Sequence, residues 1–256
     1  LTRAIYVGGS YEIESLGHSI QSMVNQMRKL MDDIVVEQEA KRRSEMDALQ
    51  SQINPHFLYN TLEVIRMKAR ASKQYDIEEL VKMLAIILRK NIQAGSQDVE
   101  IQTEVELITC YLKIQQYRFG ERIQYEIDMD PEMEHIRILP LILQPIVENA
   151  VNHGIRDIEW EGRIHLTVTG DADYIRISVK DNGKGMTQEQ IESVLSGNKE
   201  YGKEESDSTG IGMNNVISRL ELYYEEKGLV EISSEGEGKG TEVVVYIPVN
   251  YSNSRK

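Results

Sequence analysis

Four short segments carry side chains and backbone able to handle a phosphate. In Pro145-Ile146-Val147-Glu148-Asn149-Ala150-Val151-Asn152-His153-Gly154, one carboxylate and two carboxamides fall within a turn of each other on an otherwise apolar helix. Such a grouping offers an oxygen ligand to a hard cation and N–H donors to an anion. Three glycine-bearing segments follow: Asp181-Asn182-Gly183-Lys184-Gly185, Ser208-Thr209-Gly210-Ile211-Gly212 and Gly238-Lys239-Gly240-Thr241. Glycine lets backbone N–H groups approach a phosphate, and the dipole of a helix after Gly212 favours negative charge. Taken singly, each segment is ordinary turn chemistry; Asn149 serves equally to satisfy a neighbouring loop, and His153 to cap the helix end. Neither common phosphate motif is present, because no G-x-G-x-x-G occurs at Gly183 or Gly210 and Gly238-Lys239 lacks the upstream glycine of a P-loop. Far upstream, in Gln52-Ile53-Asn54-Pro55-His56-Phe57-Leu58-Tyr59-Asn60-Thr61-Leu62, His56 offers an imidazole. Asn60 lies one turn beyond on the same face, placed either to orient that ring or a hydrolytic water, or to act as a polar seam residue that fixes helix pairing.

The elements that position these residues read in two halves. From Ile20 the apolar residues Ile20, Val24, Met27, Met31 and Ile34 make a coiled-coil seam, interrupted by the charged run 37–45 and resumed at Met46, Leu49 and Ile53. Pro55 is expected to bend this helix, which continues through Leu58, Leu62 and Ile65. A second helix is predicted over 77–93, with Gly95 as its cap, so the two form a hairpin whose apolar faces are covered by the hairpin of a second chain in a four-helix bundle. Thr103 and Glu106 form a capping box that opens a helix running to about Phe119. Period-two alternation then predicts strands at Ile123, Tyr125 and Ile127, at Ile164, Leu166 and Val168, at Ile175, Ile177 and Val179, and at Val243, Val245 and Ile247. Helices are expected over 141–153, over 188–195 with Thr187 and Gln190 as its cap, and over 213–224. The whole is α+β: a long helix and hairpin, then an α/β layer in which helices cover one sheet.

Composition narrows the function. Among 256 residues, 42 acidic against 29 basic give a net charge of −13, which disfavours a phosphate-backbone binder and hence nucleic acid as a partner. The single cysteine, Cys110, excludes an intramolecular disulfide and reads as a buried small apolar residue. The longest nearly apolar run, 138–147, is half the length a membrane span requires, and no targeting segment is expected.

In order and spacing, Glu148-Asn149, Asp181-x-Gly183-x-Gly185, Gly210-x-Gly212 and Gly240-Thr241 resemble the ATP-binding domain shared by sensor histidine kinases, type II topoisomerases, Hsp90 and MutL, the GHKL (Bergerat) type. The segment around His56 resembles the phosphoacceptor of sensor histidine kinases of the LytS/YesM-like subgroup, and residues 1–27 resemble the tail of a HAMP signalling module. The resemblance implies a HAMP-like tail and signalling helix over 1–45, a dimerisation and phosphotransfer hairpin over 46–97 and a catalytic ATP-binding domain over 98–256. It implies that Mg-ATP phosphorylates His56, that the phosphoryl passes to an aspartate on a response regulator, and that the chain is the cytoplasmic part of a homodimeric membrane receptor, anchored through a segment absent from this chain.

By family position His56, Asn60 and Glu148 would act in catalysis, Asn149 would hold Mg2+ and Asp181 would accept from the adenine amino group. Asn152, His153, Gly183, Gly185, Met186, Gly210, Ile211, Gly212, Met213 and Thr241 complete the expected nucleotide site, and residues 196–209 are the expected lid. Three departures stand out. Asn152 replaces a basic residue of many relatives, so that one phosphate contact is either missing or supplied by Lys184, Lys199 or Lys203; Ser208 replaces the first glycine of the usual box; and Phe57 replaces the acidic residue that follows the histidine in the most common subgroup, leaving the general base unassigned. The alternative reading is a degenerate ATP-binding regulatory module of the same fold. An ATP-driven clamp or chaperone would have no use for the His56 segment.

Overall fold

The structure, a computed structural model, describes residues 55–93, 98–171, 173–196 and 209–249. The expected seam, HAMP-like tail and bend at Pro55, the Gly95 cap and the lid between 197 and 208 lie outside the described residues. Two compact units divide the chain, Leu1–Leu58 and Tyr59–Lys256, and of the first only the opening of helix α1 is described.

Helices α1 (Pro55–Ala71) and α2 (Tyr75–Gln93) are the expected hairpin elements. α1 closes in a Schellman motif: Gln74 N–H donates to the Ala69 carbonyl at 2.9 Å and Lys73 N–H to that of Arg70 at 3.0 Å. Lys73 sits at φ 55°, the place usually given to glycine. Arg66 links the helices through Glu78 at 3.1 Å. Val64, Met67, Tyr75 and Leu84 remain exposed, so apolar surface on both helices is uncovered within one chain.

Helix α3 (Ile101–Phe119) opens two residues before the expected capping box, which does not form its cap: the N-cap is Glu100, without a side-chain bond. The loop at 134–136 supplies the acceptors instead. Ile101 N–H donates to the Ile136 carbonyl at 2.9 Å and Gln102 N–H to that of Glu134 at 3.1 Å, so Thr103 has no orphan donor to satisfy. The same loop brings β1 (Val99–Glu100) against β3 (Arg137–Ile138), a ladder too short to leave a periodic signal. Cys110 is half-buried on α3, a correction to its expected full burial, and that burial still pushes its thiol pKa up.

The main sheet runs in the order β2-β4-β5-β7-β6, with β2 (Ile123–Met129) parallel to β4 (Gly162–Gly170) and every other pair antiparallel: β5 (Tyr174–Asp181), β6 (Val230–Ser233) and β7 (Glu242–Pro248). β6 was not predicted, since Val230 and Ile232 alone make too short an alternation. The predicted inward positions Ile164, Leu166, Val168, Ile175, Ile177, Val179, Val245 and Ile247 are buried, whereas Tyr125 and Ile127 on the edge strand β2 are half-buried. The opposite face is polar; there Glu242 accepts from Ser178 at 2.6 Å and Arg176 at 2.9 Å.

Three helices cover the apolar face: α3, α4 (Leu143–Asn149) and α6 (Thr209–Tyr224). Burying Ile108, Leu112, Ile146, Val147, Val216 and Leu220 between helix and sheet contributes about 1.5–3 kcal/mol per side chain. Helix α5 (Gln188–Ser196) has its predicted reciprocal cap: Gln190 Oε1 accepts the Thr187 N–H at 2.8 Å, and Thr187 Oγ1 accepts the Gln190 N–H at 3.3 Å.

Two helix readings need correction. The helix expected over 141–153 begins at Leu143, because Leu141 has a left-handed φ of 57°, and after Asn149 it widens into a π turn (Ala150–Ile155) closed by Arg156 N–H on the Val151 carbonyl at 2.9 Å. Gly210 and Gly212 do not precede α6 but lie in its first turn.

Candidate functional site

Asp181 ends β5 with its side chain only 6 % exposed. The Gly183 N–H donates to its Oδ1 at 2.8 Å and the Thr241 N–H also donates to the carboxyl, while its own N–H reaches the Thr241 carbonyl at 2.9 Å. Burial nevertheless outweighs these bonds and raises its pKa to about 6. A carboxylate held at this depth, with part of its accepting capacity assigned to backbone, is suited to one further donor from outside.

The chain around Asp181 is packed backbone against backbone. A Cβ at Gly183 would collide with the Gly154 carbonyl, and Gly185, at φ 71°, faces the Gly236 carbonyl just as closely. Only glycine permits either approach. Three hydrogen bonds tie the segments: Lys184 N–H to Gly154 at 3.0 Å, Gly238 N–H to Lys184 at 2.6 Å and Gly240 N–H to Gly183 at 3.1 Å. Ser234 joins them, its hydroxyl donating to the Gly240 carbonyl at 2.6 Å and accepting the Met186 N–H at 3.0 Å. Asn182 fastens the neighbouring loop: it accepts the Arg163 N–H at 2.7 Å, donates to the Glu161 carbonyl at 2.9 Å and receives the Trp160 indole N–H on its own carbonyl at 2.9 Å.

The π turn carries this cradle into α4, since Gly154 lies against the Asp181 carboxyl. On α4, Glu148 accepts from Gln144 Nε2 at 2.8 Å. Asn149 keeps a buried Nδ2 with no partner, and Gln144 a buried Oε1 with none. A buried amide with an open valence fits a phosphate and its metal: the N–H suits a phosphate oxygen, and a half-turn of the amide presents its oxygen to a cation.

A cleft of about 520 Å³ opens beside this helix, lined by Gln144, Pro145 and Glu148 from α4 and by Gly212, Asn215 and Arg219 from α6. It contains neither Asn149 nor Asp181. The structure therefore joins Asp181, Gly183, Gly185, Met186 and Thr241 into one cradle and sets Glu148 and Gly212 together along the cleft. Asn152 is exposed and His153 half-buried on the π turn; Met213 is 4 % exposed within the core, and the side chain of Ile211 lies outside the described residues. His56 and Asn60 are both exposed on α1, four residues apart. Sequence reasoning missed Gln144, although its i,i+4 spacing to Glu148 on a helix was a usable signal. It also missed Ser234 and Trp160, whose roles depend on distant loops meeting.

Residues 44–123 match the histidine kinase family model, and residues 135–251 match that of the histidine kinase-, DNA gyrase B-, and HSP90-like ATPases. The chain is 35% identical over 237 residues to the sensor histidine kinase YesM of Bacillus subtilis (strain 168), covering 93% of this chain and 39% of YesM. It is 33% identical over 246 residues to the sensor histidine kinase YpdA of Escherichia coli (strain K12), covering 90% and 40% of the two chains. The sensor protein LytS of Bacillus subtilis (strain 168) is 30% identical over 207 residues, 80% of this chain and 34% of LytS. The chain thus spans about two fifths or less of these relatives' length. Two kinase-type matches in tandem, and a likeness to YesM that runs through 93% of this chain, place the chain in the sensor histidine kinase family, in the subgroup of YesM and LytS.

Proposed function

We propose that this chain is the kinase portion of a sensor histidine kinase, which binds Mg-ATP in residues 98–256 and transfers the γ-phosphoryl to His56 and then to an aspartate of a response regulator. The observation that carries the reading is the buried Asp181 carboxylate, fixed by Gly183 and Thr241 within a backbone cradle that excludes side chains. In the transfer, the bond between the γ-phosphorus and the β–γ bridging oxygen breaks, a P–N bond forms at a neutral imidazole nitrogen of His56, the ring N–H proton is lost and ADP leaves. Asp181 orients the base by accepting its amino N–H. Asn149, with its unpartnered buried amide, would hold Mg2+, and Glu148, tethered by Gln144, would orient a water or proton beside it. When bound, the ion neutralises charge across the phosphate oxygens, which is most of what a loose phosphoryl-transfer transition state requires.

Residues 46–97 would pair with the same hairpin of a second chain, a reading supported by exposed Val64, Met67, Tyr75 and Leu84. The start of the ATP-binding domain at 98 is supported by α3, whose Ile101, Ile108 and Leu112 belong to the sheet's core. The whole protein would be membrane-anchored outside this chain; among the described residues no helix is long and apolar enough to cross a membrane.

Incubation with Mg-ATP labelled at the γ-phosphate is expected to label the purified chain with an acid-labile, base-stable phosphoryl group. Acid-stable label, or none despite nucleotide binding, would refute the kinase reading. Binding itself has a built-in reporter: Trp160, the one tryptophan of the chain, hydrogen-bonds to the residue after Asp181. Saturation with ADP is expected to change its emission, and Trp160→Phe to abolish the change. Unaltered emission at saturation would place the Asp181 loop outside the ligand's reach.

A further inference from the structure

Glu104 stands in the first turn of α3 and is 2 % exposed, among the apolar side chains that cover the sheet. An ionised carboxylate in such a place is costly unless its oxygens are bonded. Its oxygens are bonded: Oε1 accepts the Leu141 N–H at 2.9 Å and Oε2 the Leu143 N–H at 3.3 Å, and the Ile142 N–H also donates to it. These are consecutive donors at the start of α4, which no earlier turn of that helix can satisfy. Glu104 therefore caps α4 from 37 residues away.

The capped segment is clamped from its other side too. Arg219 on α6 donates to the Pro140 carbonyl at 2.7 Å and the Leu141 carbonyl at 3.2 Å. Between these two charges Leu141 is held at φ 57°, a conformation that costs a non-glycine residue about 1 kcal/mol or more. Two turns along α3 from Glu104, Tyr111 is half-buried, and that burial, with the Glu148 charge added to it, pushes the phenol up to about 12. α3 thus caps the start of α4 and carries a phenol within electrostatic range of Glu148 at the other end.

We propose that Glu104 is a positioning residue of the nucleotide site: by fixing the start of α4 it sets where Glu148 and Asn149 stand relative to the phosphates and metal. The inference rests on the nucleotide reading above. It separates two parts of the site: the Asp181 cradle is built from β5, the 236–241 turn and Gly154 at the far end of the π turn, whereas the Glu104 clamp acts at the opposite end of α4 and bears first on Glu148 and Asn149.

The test compares affinities for adenosine, and for ADP with and without Mg2+, in the wild-type chain and in Glu104→Gln. Glutamine retains one acceptor but turns an NH2 toward a backbone N–H, so the start of α4 must shift. The expected result is unchanged adenosine affinity, within about twofold, with the gain that Mg2+ gives to ADP binding reduced about tenfold, the lower end for the loss of a residue supporting a metal ligand. A merely structural Glu104 would lower the melting temperature and leave that Mg2+ gain intact, and this outcome overturns the proposal. If Glu104→Gln does not fold, Arg219→Gln relaxes the same segment from the α6 side and is expected to show the same selective loss. An intact Mg2+ gain in Arg219→Gln overturns the proposal equally. Absence of adenosine and ADP binding in the wild type would remove the nucleotide reading, and this inference with it.

Discussion

His56→Gln is expected to take up no label from Mg-ATP while binding ADP with wild-type affinity. Glutamine keeps an amide of similar reach on the same exposed turn of α1 but has no neutral ring nitrogen able to form a P–N bond, so the loss is complete and not graded. Unchanged ADP affinity separates the missing acceptor from a damaged nucleotide site. Asn60→Ala is expected to fall between, slowing labelling by about ten- to a hundredfold if the carboxamide orients the imidazole. Wild-type labelling rates in Asn60→Ala, with weakened dimerisation instead, would assign Asn60 to helix pairing.

Asp181→Asn is expected to lose adenine-nucleotide affinity by about a hundredfold. Gly183 N–H requires an oxygen at Oδ1, so the amide nitrogen takes the other position and presents N–H groups where a donor must be received. Two opposed donors in a buried place cost about 3 kcal/mol, which is that factor. The native carboxylate also predicts two pH slopes of opposite sign. Its pKa is about 6 when folded against 3.8 as the ordinary value, so its contribution to stability is fully present below pH 3.8 and is lost as pH rises through 6. The share at stake is on the order of 2–3 kcal/mol, since the side chain is buried. Nucleotide binding needs the ionised form and weakens as pH falls through 6. Melting temperatures between pH 5 and 7, read beside ADP titrations at the same pH values, should show both slopes in the wild type and neither in Asp181→Asn. Parallel slopes would sink this account of Asp181.

The legibility of the fold followed the range of the interactions that determine each element. Ile164, Leu166 and Val168 alternate because one face is buried, and that is a local signal. The Thr187–Gln190 cap is equally local and is made as read. The Thr103–Glu106 box was as good a local signal, but acceptors from the 134–136 loop had already taken the helix's first donors. The start of α4 failed for the same reason, because Glu104 and Arg219 act on it from other helices. At the candidate site, Asp181, Gly183 and Asn149 were legible as a spaced set. Gln144 was legible in its i,i+4 spacing to Glu148 but went unread, whereas Ser234, bonded across 48 residues, left no local signal.

The parallel pairing of β2 with β4 has a consequence for the order of assembly. Its register sets Ile123 beside Gly162, whereas β4 and β5 pair Gly170 with Ile175. Closing the longer loop costs about 2 kcal/mol more chain entropy, so the β4–β5 and β6–β7 hairpins form ahead of it. The whole of α4 and its π turn lies inside that late-closing loop. Glu148 and Asn149 therefore reach their places after the β4–β5 and β6–β7 hairpins have formed, and native-state hydrogen exchange is expected to find their helix opening before those hairpins.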